Sequence, residues 1–176
     1  MVQLGRELFF SLLFVALSLG ASVYISVAAL NYNQLYPSLD QLQFQIVGLH
    51  LTIAMSPLPP RLDTTVELMN PSSYNGFSVG QIILDFSQFS NSSSTVYLAL
   101  SYSQLVRTPL PSHSSSNVTV PAQITAADAS ELQSFSSAST GSQVTAHVRL
   151  TVQVSTFLDS ITGPIPMVGS QNVTLT

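Results

Sequence analysis

The segment Gln143–Ser155, QVTAHVRLTVQVS, decides the fold. Val144, Ala146, Val148, Leu150, Val152 and Val154 alternate with Gln143, Thr145, His147, Arg149, Thr151, Gln153 and Ser155. A period of two puts successive side chains on opposite sides of an extended chain, so the segment reads as one long strand with one buried face. Shorter runs of the same kind occur at Leu42, Phe44 and Ile46, at Leu62, Val66 and Leu68, at Ile82, Leu84 and Phe86, and at Leu98, Leu100 and Tyr102. Val118 with Val120, and Val173 with Leu175, are two more. Turn chemistry separates them: Pro57, Pro59 and Pro60; Asn70-Pro71 with Asn75-Gly76; Asn91 to Thr95; Pro109 to Ser116; Gly163-Pro164. About seven strands joined by turns predict a mostly β sandwich. One segment departs from the period: Asp128 or Ser130 is placed to cap a short helix whose Leu132 and Phe135 share a face, expected to plug one end of the sandwich.

The N-terminal quarter follows another rule. Leu8 to Leu30, LFFSLLFVALSLGASVYISVAAL, carries no charge, and the next charged residue is Asp40. At ~1.5 Å per residue this run spans roughly 34 Å, enough to cross a hydrocarbon layer. A cleavable signal has a basic start and a shorter apolar core. Here Arg6 is offset by Glu7 and the core is long, so a retained single-pass anchor is expected, with Val27-Ala28-Ala29 as the alternative cleavage site. Arg6 at one end, and no Lys or Arg at the other until Arg61, predict a cytoplasmic N-terminus and an extracellular C-terminal domain at the plasma membrane. Tyr32 and Tyr36 fall where an outer interfacial belt belongs. The organisation is then tail and helix over 1–30, linker over 31–40 and sandwich over 41–176. Along the helix, Ser11, Ser18, Ser22, Ser26 and Ala29 align on one face. Such a stripe lets a second helix approach closely, predicting a membrane-helix partner, either another copy or another subunit. The competing reading is that each serine bonds its own backbone.

Composition narrows the function. Among 176 residues only 7% are charged, there are four Arg and no Lys, and the net charge is −4. A usual domain has roughly 25% charged residues. With no basic patch, nucleic acid is excluded as a partner; the lipid bilayer is the expected one. No Cys is present, which removes disulfides, thiolate metal sites and a cysteine nucleophile together. A surface of hydroxyls and amides keeps its character where carboxylates protonate, which suits an acidic archaeal envelope.

Over Leu42 to Leu175 the chain resembles the late-embryogenesis-abundant domain of the LEA14 type, also called the water-stress and hypersensitive-response (WHy) domain. The residues that carry this are VELMNPSSYNGFSV from Val66 to Val79, then QIILDF, then Asn117-Val118-Thr119-Val120-Pro121, the short helix with Glu131-Leu132, the long alternating strand and the ending IPMVGSQNVTL. The resemblance implies an immunoglobulin-like or fibronectin-like sandwich, a type of domain that follows a single membrane helix in several relatives. It brings no catalytic residues.

The residues themselves offer little chemistry. His50, His113 and His147 lie in no recognisable motif, no G-x-S-x-G elbow occurs, and Asp63 and Glu67, four apart on one strand, are roughly 13 Å apart, too far for a paired-acid site. No calcium loop or phosphate loop is present, so no catalytic, metal or cofactor residue is assigned. Three sequons, at Asn91, Asn117 and Asn172, are candidates for N-linked glycans. A non-enzymatic envelope protein is expected, its sandwich a structural or binding module and accessory subunit of a surface assembly. The alternatives are a subunit of a type IV pilus-like filament, whose leader would end at Gly5 without a preceding basic residue, and a secreted domain binding a small apolar ligand.

Overall fold

The computed structural model describes residues 2–53, 59–138 and 143–176, with side chains from Leu8 onward except that of Ala138. Met1, the side chains of Arg6 and Glu7, and the turn residue Pro57 lie outside the described residues. Two compact units divide at Gln41 and Leu42.

The first unit is the helix α1, Val2–Leu39. It takes in residues 31–39, which the composition assigns to a linker. Polar residues such as Asn31 and Asn33 form helix here despite low intrinsic propensity, and Pro37 sits in the last turns, where one lost backbone bond costs least. Beyond the helix, the Gln41 amide nitrogen donates to the Pro37 carbonyl at 3.2 Å, satisfying one of the last orphaned acceptors. Residues 8 to 34 are exposed, and Leu8–Leu39 is long and apolar enough to cross a membrane.

The second unit is mostly β. Its strands are β1 (Gln43–Thr52), β2 (Arg61–Asn70), β3 (Phe77–Ser90), β4 (Thr95–Val96), β5 (Leu100–Leu110), β6 (Ser114–Gln123), β7 (Val144–Ser155) and β8 (Ile165–Leu175). All eight join one curled sheet in the order β4-β3-β7-β8-β1-β2-β6, with β5 paired to the same edge of β3 as β4. The sandwich architecture expected from the periodicity is present. The additional strand is β4, two residues long, beginning at the last residue of the segment that reads as the Asn91–Thr95 turn.

β7 shows why the period decides the fold. Val144, Ala146, Val148, Leu150, Val152 and Val154 are all buried, while their neighbours are exposed or half-buried. It pairs with β3 on one side and β8 on the other, so it lies within the sheet rather than at an edge. Val79, Ile82, Leu84 and Phe86 of β3, and Leu62, Val66 and Leu68 of β2, are buried by the same alternation. Each such side chain contributes roughly 1.5–3 kcal/mol by leaving water, so a charge at Val148 would break the domain.

Strand edges are managed by bulges. Gly80 of β3 faces both Val106 and Arg107 of β5, and Arg107 there adopts φ 52°, a left-handed conformation that strains a side-chain-bearing residue. Pro109 further interrupts this outer strand's donors.

The expected short helix is α2, Ala126–Ala138. Its cap is Thr125, not Asp128 or Ser130. The Thr125 hydroxyl oxygen accepts the Asp128 N–H at 3.1 Å, and Asp128 Oδ2 accepts the Thr125 N–H at 3.3 Å. This is a reciprocal capping box with Asp in the third helical position. Ala129 and Leu132 are its buried residues. A one-turn helix α3, Asp159–Thr162, closes on Gly163, whose φ of 71° favours glycine.

Candidate functional site

The serines of α1 stand in one column, and the hydroxyls of Ser22 and Ser26 turn inward on their own helix. Ser22 Oγ donates to the Ser18 carbonyl and Ser26 Oγ to the Ser22 carbonyl, each at 2.9 Å. Backbone bonding of this kind is how a spanning helix satisfies a hydroxyl alone. Ser11 and Ala29 share the exposed surface. Tyr32 and Tyr36 meet edge to face at 5.5 Å.

The three sequons occupy different settings. Asn91 folds a turn, its Oδ1 accepting the N–H groups of Ser93 and Ser94 at 2.9 and 2.8 Å. Asn117 is exposed on β6, the last strand in the sheet order. Asn172 on β8 faces its register partner His147, with Oδ1 2.9 Å from the His147 Nδ1. His50 is exposed opposite Asp63 across β1 and β2. His113 adopts φ 52° and donates its N–H to the Ser72 carbonyl at 3.1 Å. Asp63 accepts from Arg61 Nε at 2.9 Å and from the Thr52 hydroxyl at 3.2 Å, and Glu67 accepts from the Gln45 amide at 2.6 Å. Both carboxylates lie half-buried on the polar face of β2, engaged by neighbours on the sheet. Among the described residues no group of three or more His, Asp or Glu is arranged to hold a metal.

Two polar constellations are not visible in the sequence pattern. The first centres on Asn70, which reads only as a turn residue before Pro71. It is fully buried at the end of β2. Its Nδ2 donates to the carbonyls of Tyr74, Leu110 and Pro111 at 2.9, 3.0 and 3.0 Å. Its Oδ1 accepts the N–H and hydroxyl of Ser72 at 3.1 and 2.6 Å. One side chain thus ties the β2–β3 connection to the corner between β5 and β6. Nearby, an added Cβ on Gly76 would overlap the buried Tyr74 ring, which itself packs on Phe77 at 4.7 Å, so glycine is required for that close approach.

The second lies where β8 meets β1. At the C-terminus these strands pair in parallel: Thr176 N–H donates to the Leu49 carbonyl at 2.9 Å, and Leu51 N–H to the Thr176 carbonyl at 3.3 Å. Five residues back along both strands, the Gln171 side chain makes the same pair of bonds around Gln45. Its Nε2 donates to the Phe44 carbonyl at 3.1 Å and its Oε1 accepts the Ile46 N–H at 2.8 Å. In a parallel ladder the N–H and C=O of one residue bond the residues either side of its partner; here a side-chain amide stands in for that pair of backbone groups. β8 remains paired to β7 as far as Ile165, while its backbone has drawn away from β1. Beyond Gln171 lies a cavity of about 180 Å³ lined by Leu42, Phe44, Leu150, Met167, Val168 and Gly169.

Compared with known proteins, the chain matches no protein-family profile and no curated protein.

Proposed function

We propose that this is a non-enzymatic, single-pass membrane protein of the cell envelope, its N-terminus cytoplasmic and its LEA14-like sandwich displayed outside as a structural or binding module. The observation that carries this reading is α1: an exposed apolar surface with no charge from Leu8 to Leu30 has no favourable place in water. An outer surface of serine, threonine and amide groups fits an exposed, N-glycosylated module. The same helix supports a second reading, a pilus-like filament subunit, because its 38 residues run past the apolar stretch as a fibre-forming helix would.

The test is the native protein's mass and N-terminal sequence, with detergent extraction and protease accessibility from each side. An intact Met1, detergent dependence and an externally digested sandwich support the anchor. A start at Arg6 supports the filament, and a start near Leu30 with release into the medium overturns both. Unmodified Asn91, Asn117 and Asn172 in that mass spectrum would remove the glycans.

A further inference from the structure

We infer that the cavity between β1 and β8 is a binding site for the end of a straight hydrocarbon chain. This inference rests on the sandwich alone, so its failure leaves the anchor reading untouched.

The cavity follows from the seam. Backbone pairing at Thr176 closes β8 against β1, the Gln171 amide bridges the gap five residues back, and beyond it the strands separate. The space is a wedge whose floor reaches the core, since Leu150 is 2% and Leu42 6% exposed, while Val168 at the rim is 55% exposed. No lining residue is charged or carries a polar side chain. An enclosed apolar cavity of about 150 Å³ takes benzene, so this open wedge of about 180 Å³ has room for a tail of roughly six carbons. A polar head would remain in water at the rim.

An extended peptide fits less well. The backbone groups of β1 that would receive an added strand, the Phe44 carbonyl and Ile46 N–H, are taken by Gln171.

Gly169 supplies the control. It pairs with Leu150, so a side chain there would share that residue's face and enter the cavity. An added Cβ meets nothing within 4 Å, and Gly169 is not among the residues with positive φ. Gly169→Leu is therefore expected to fold and to fill the site.

The experiment uses the full chain in nanodiscs of perdeuterated lipid, with ¹³C-methyl methionine. Octanoate is titrated while the Met167 and Met69 methyls are followed. The expected result is a saturable shift of Met167 with nuclear Overhauser contacts to the octanoate chain, Met69 unmoved, and loss of both signals in Gly169→Leu. A second arm omits octanoate and uses protonated lipid: contacts from acyl chains to Met167 would identify the membrane as the source, and their absence would assign the site to free chains. No saturable shift in the wild-type protein, or a shift that survives Gly169→Leu, overturns the inference. So does displacement of octanoate by a Val-Thr alternating octapeptide that also moves the Ile46 amide, because the seam would then be a strand acceptor.

Discussion

Gln171 and Ile46, 125 positions apart, are joined by a 2.8 Å hydrogen bond in which a side-chain carbonyl takes the place of a strand's backbone. With the reciprocal bond to Phe44, this amide holds the first and last strands of the sandwich together where their backbones have separated. Gln171→Leu leaves the Phe44 carbonyl and Ile46 N–H without these partners. The expected cost is about 1–2 kcal/mol in urea unfolding, with faster hydrogen exchange at the Ile46 amide than at Leu62. Gln171→Glu keeps the acceptor but sets a carboxylate oxygen against the Phe44 carbonyl, so it should gain on Gln171→Leu only as falling pH protonates the acid. Unchanged exchange at Ile46 in Gln171→Leu would show that the seam is held elsewhere.

Asn70 is the second such joint, and its chemistry can be tested by pH. Asn70→Ala removes a donor shared by three carbonyls and an acceptor used twice, with an expected loss of about 3 kcal/mol or more. Asn70→Asp sets an ionised carboxylate against the Tyr74, Leu110 and Pro111 carbonyls, which favour the neutral, donating form. The folded pKa of the introduced acid is thereby raised above its unfolded value. The native state then binds the proton more tightly, so Asn70→Asp should gain stability as pH falls and lose it as pH rises through that folded pKa. Denaturation midpoints of this variant between pH 4 and 8 should run opposite to an ordinary acid-sensitive profile.

How much could be read from the sequence depends on where the physical cause lies. Val144 to Val154 is legible because each residue's burial is set by its own position in a two-residue period. The apolar helix is legible to Leu30 for the same local reason, but its continuation to Leu39 runs through polar residues that carry no periodic signal. β4 was hidden because two residues have no period, and its pairing depends on Phe89 and Ser90 of β3. Thr125 lost its capping role to Asp128 in the sequence reading because the capping box here uses Asp where Glu or Gln is the usual signature. Gln171 and the cavity beyond it had no sequence signal at all. Their meaning depends on Phe44 and Ile46, which are brought near only by the completed sheet. Asn70 is intermediate: Asn-Pro-Ser announces a side-chain-stabilised turn, but not that the turn is buried against Leu110.

Thr64 presents the opposite case, a polar group the fold leaves alone. Its side chain is fully buried, flanked in register by Leu49 and Val120, and its hydroxyl has no partner among the described residues. An unpaired buried hydroxyl costs about 1–3 kcal/mol, and valine has nearly the same shape and a better strand preference. Thr64→Val should raise stability by about 1 kcal/mol. Thr65→Val is the control, since Thr65 is half-buried with its hydroxyl 3.3 Å from that of Thr119. It should give no gain. A destabilised Thr64→Val would mean that the hydroxyl is satisfied by an internal water.

The alkaline limit of the sandwich should be set by its tyrosines. Burial raises the phenol of Tyr102, and the nearby Asp128 carboxylate raises it further; burial alone raises that of Tyr74. Both folded values lie above the unfolded value near 10. Between the two, the native state holds a proton that the unfolded chain has released, so unfolding becomes easier as pH rises. The contribution is fully present below pH 10 and disappears as pH climbs through the folded pKa. Unfolding midpoints should therefore be insensitive to these groups at pH 7 to 9 and decline above pH 10. Tyr102→Phe and Tyr74→Phe combined should flatten that decline. Asp128→Asn should bring the Tyr102 titration, followed by phenolate absorbance, to lower pH, but it also weakens the cap of α2. Its effect on the titration must therefore be compared with Thr125→Ala, which loosens the same cap without removing the charge. If both variants moved the Tyr102 titration equally, the position of α2 rather than the Asp128 charge would be the cause.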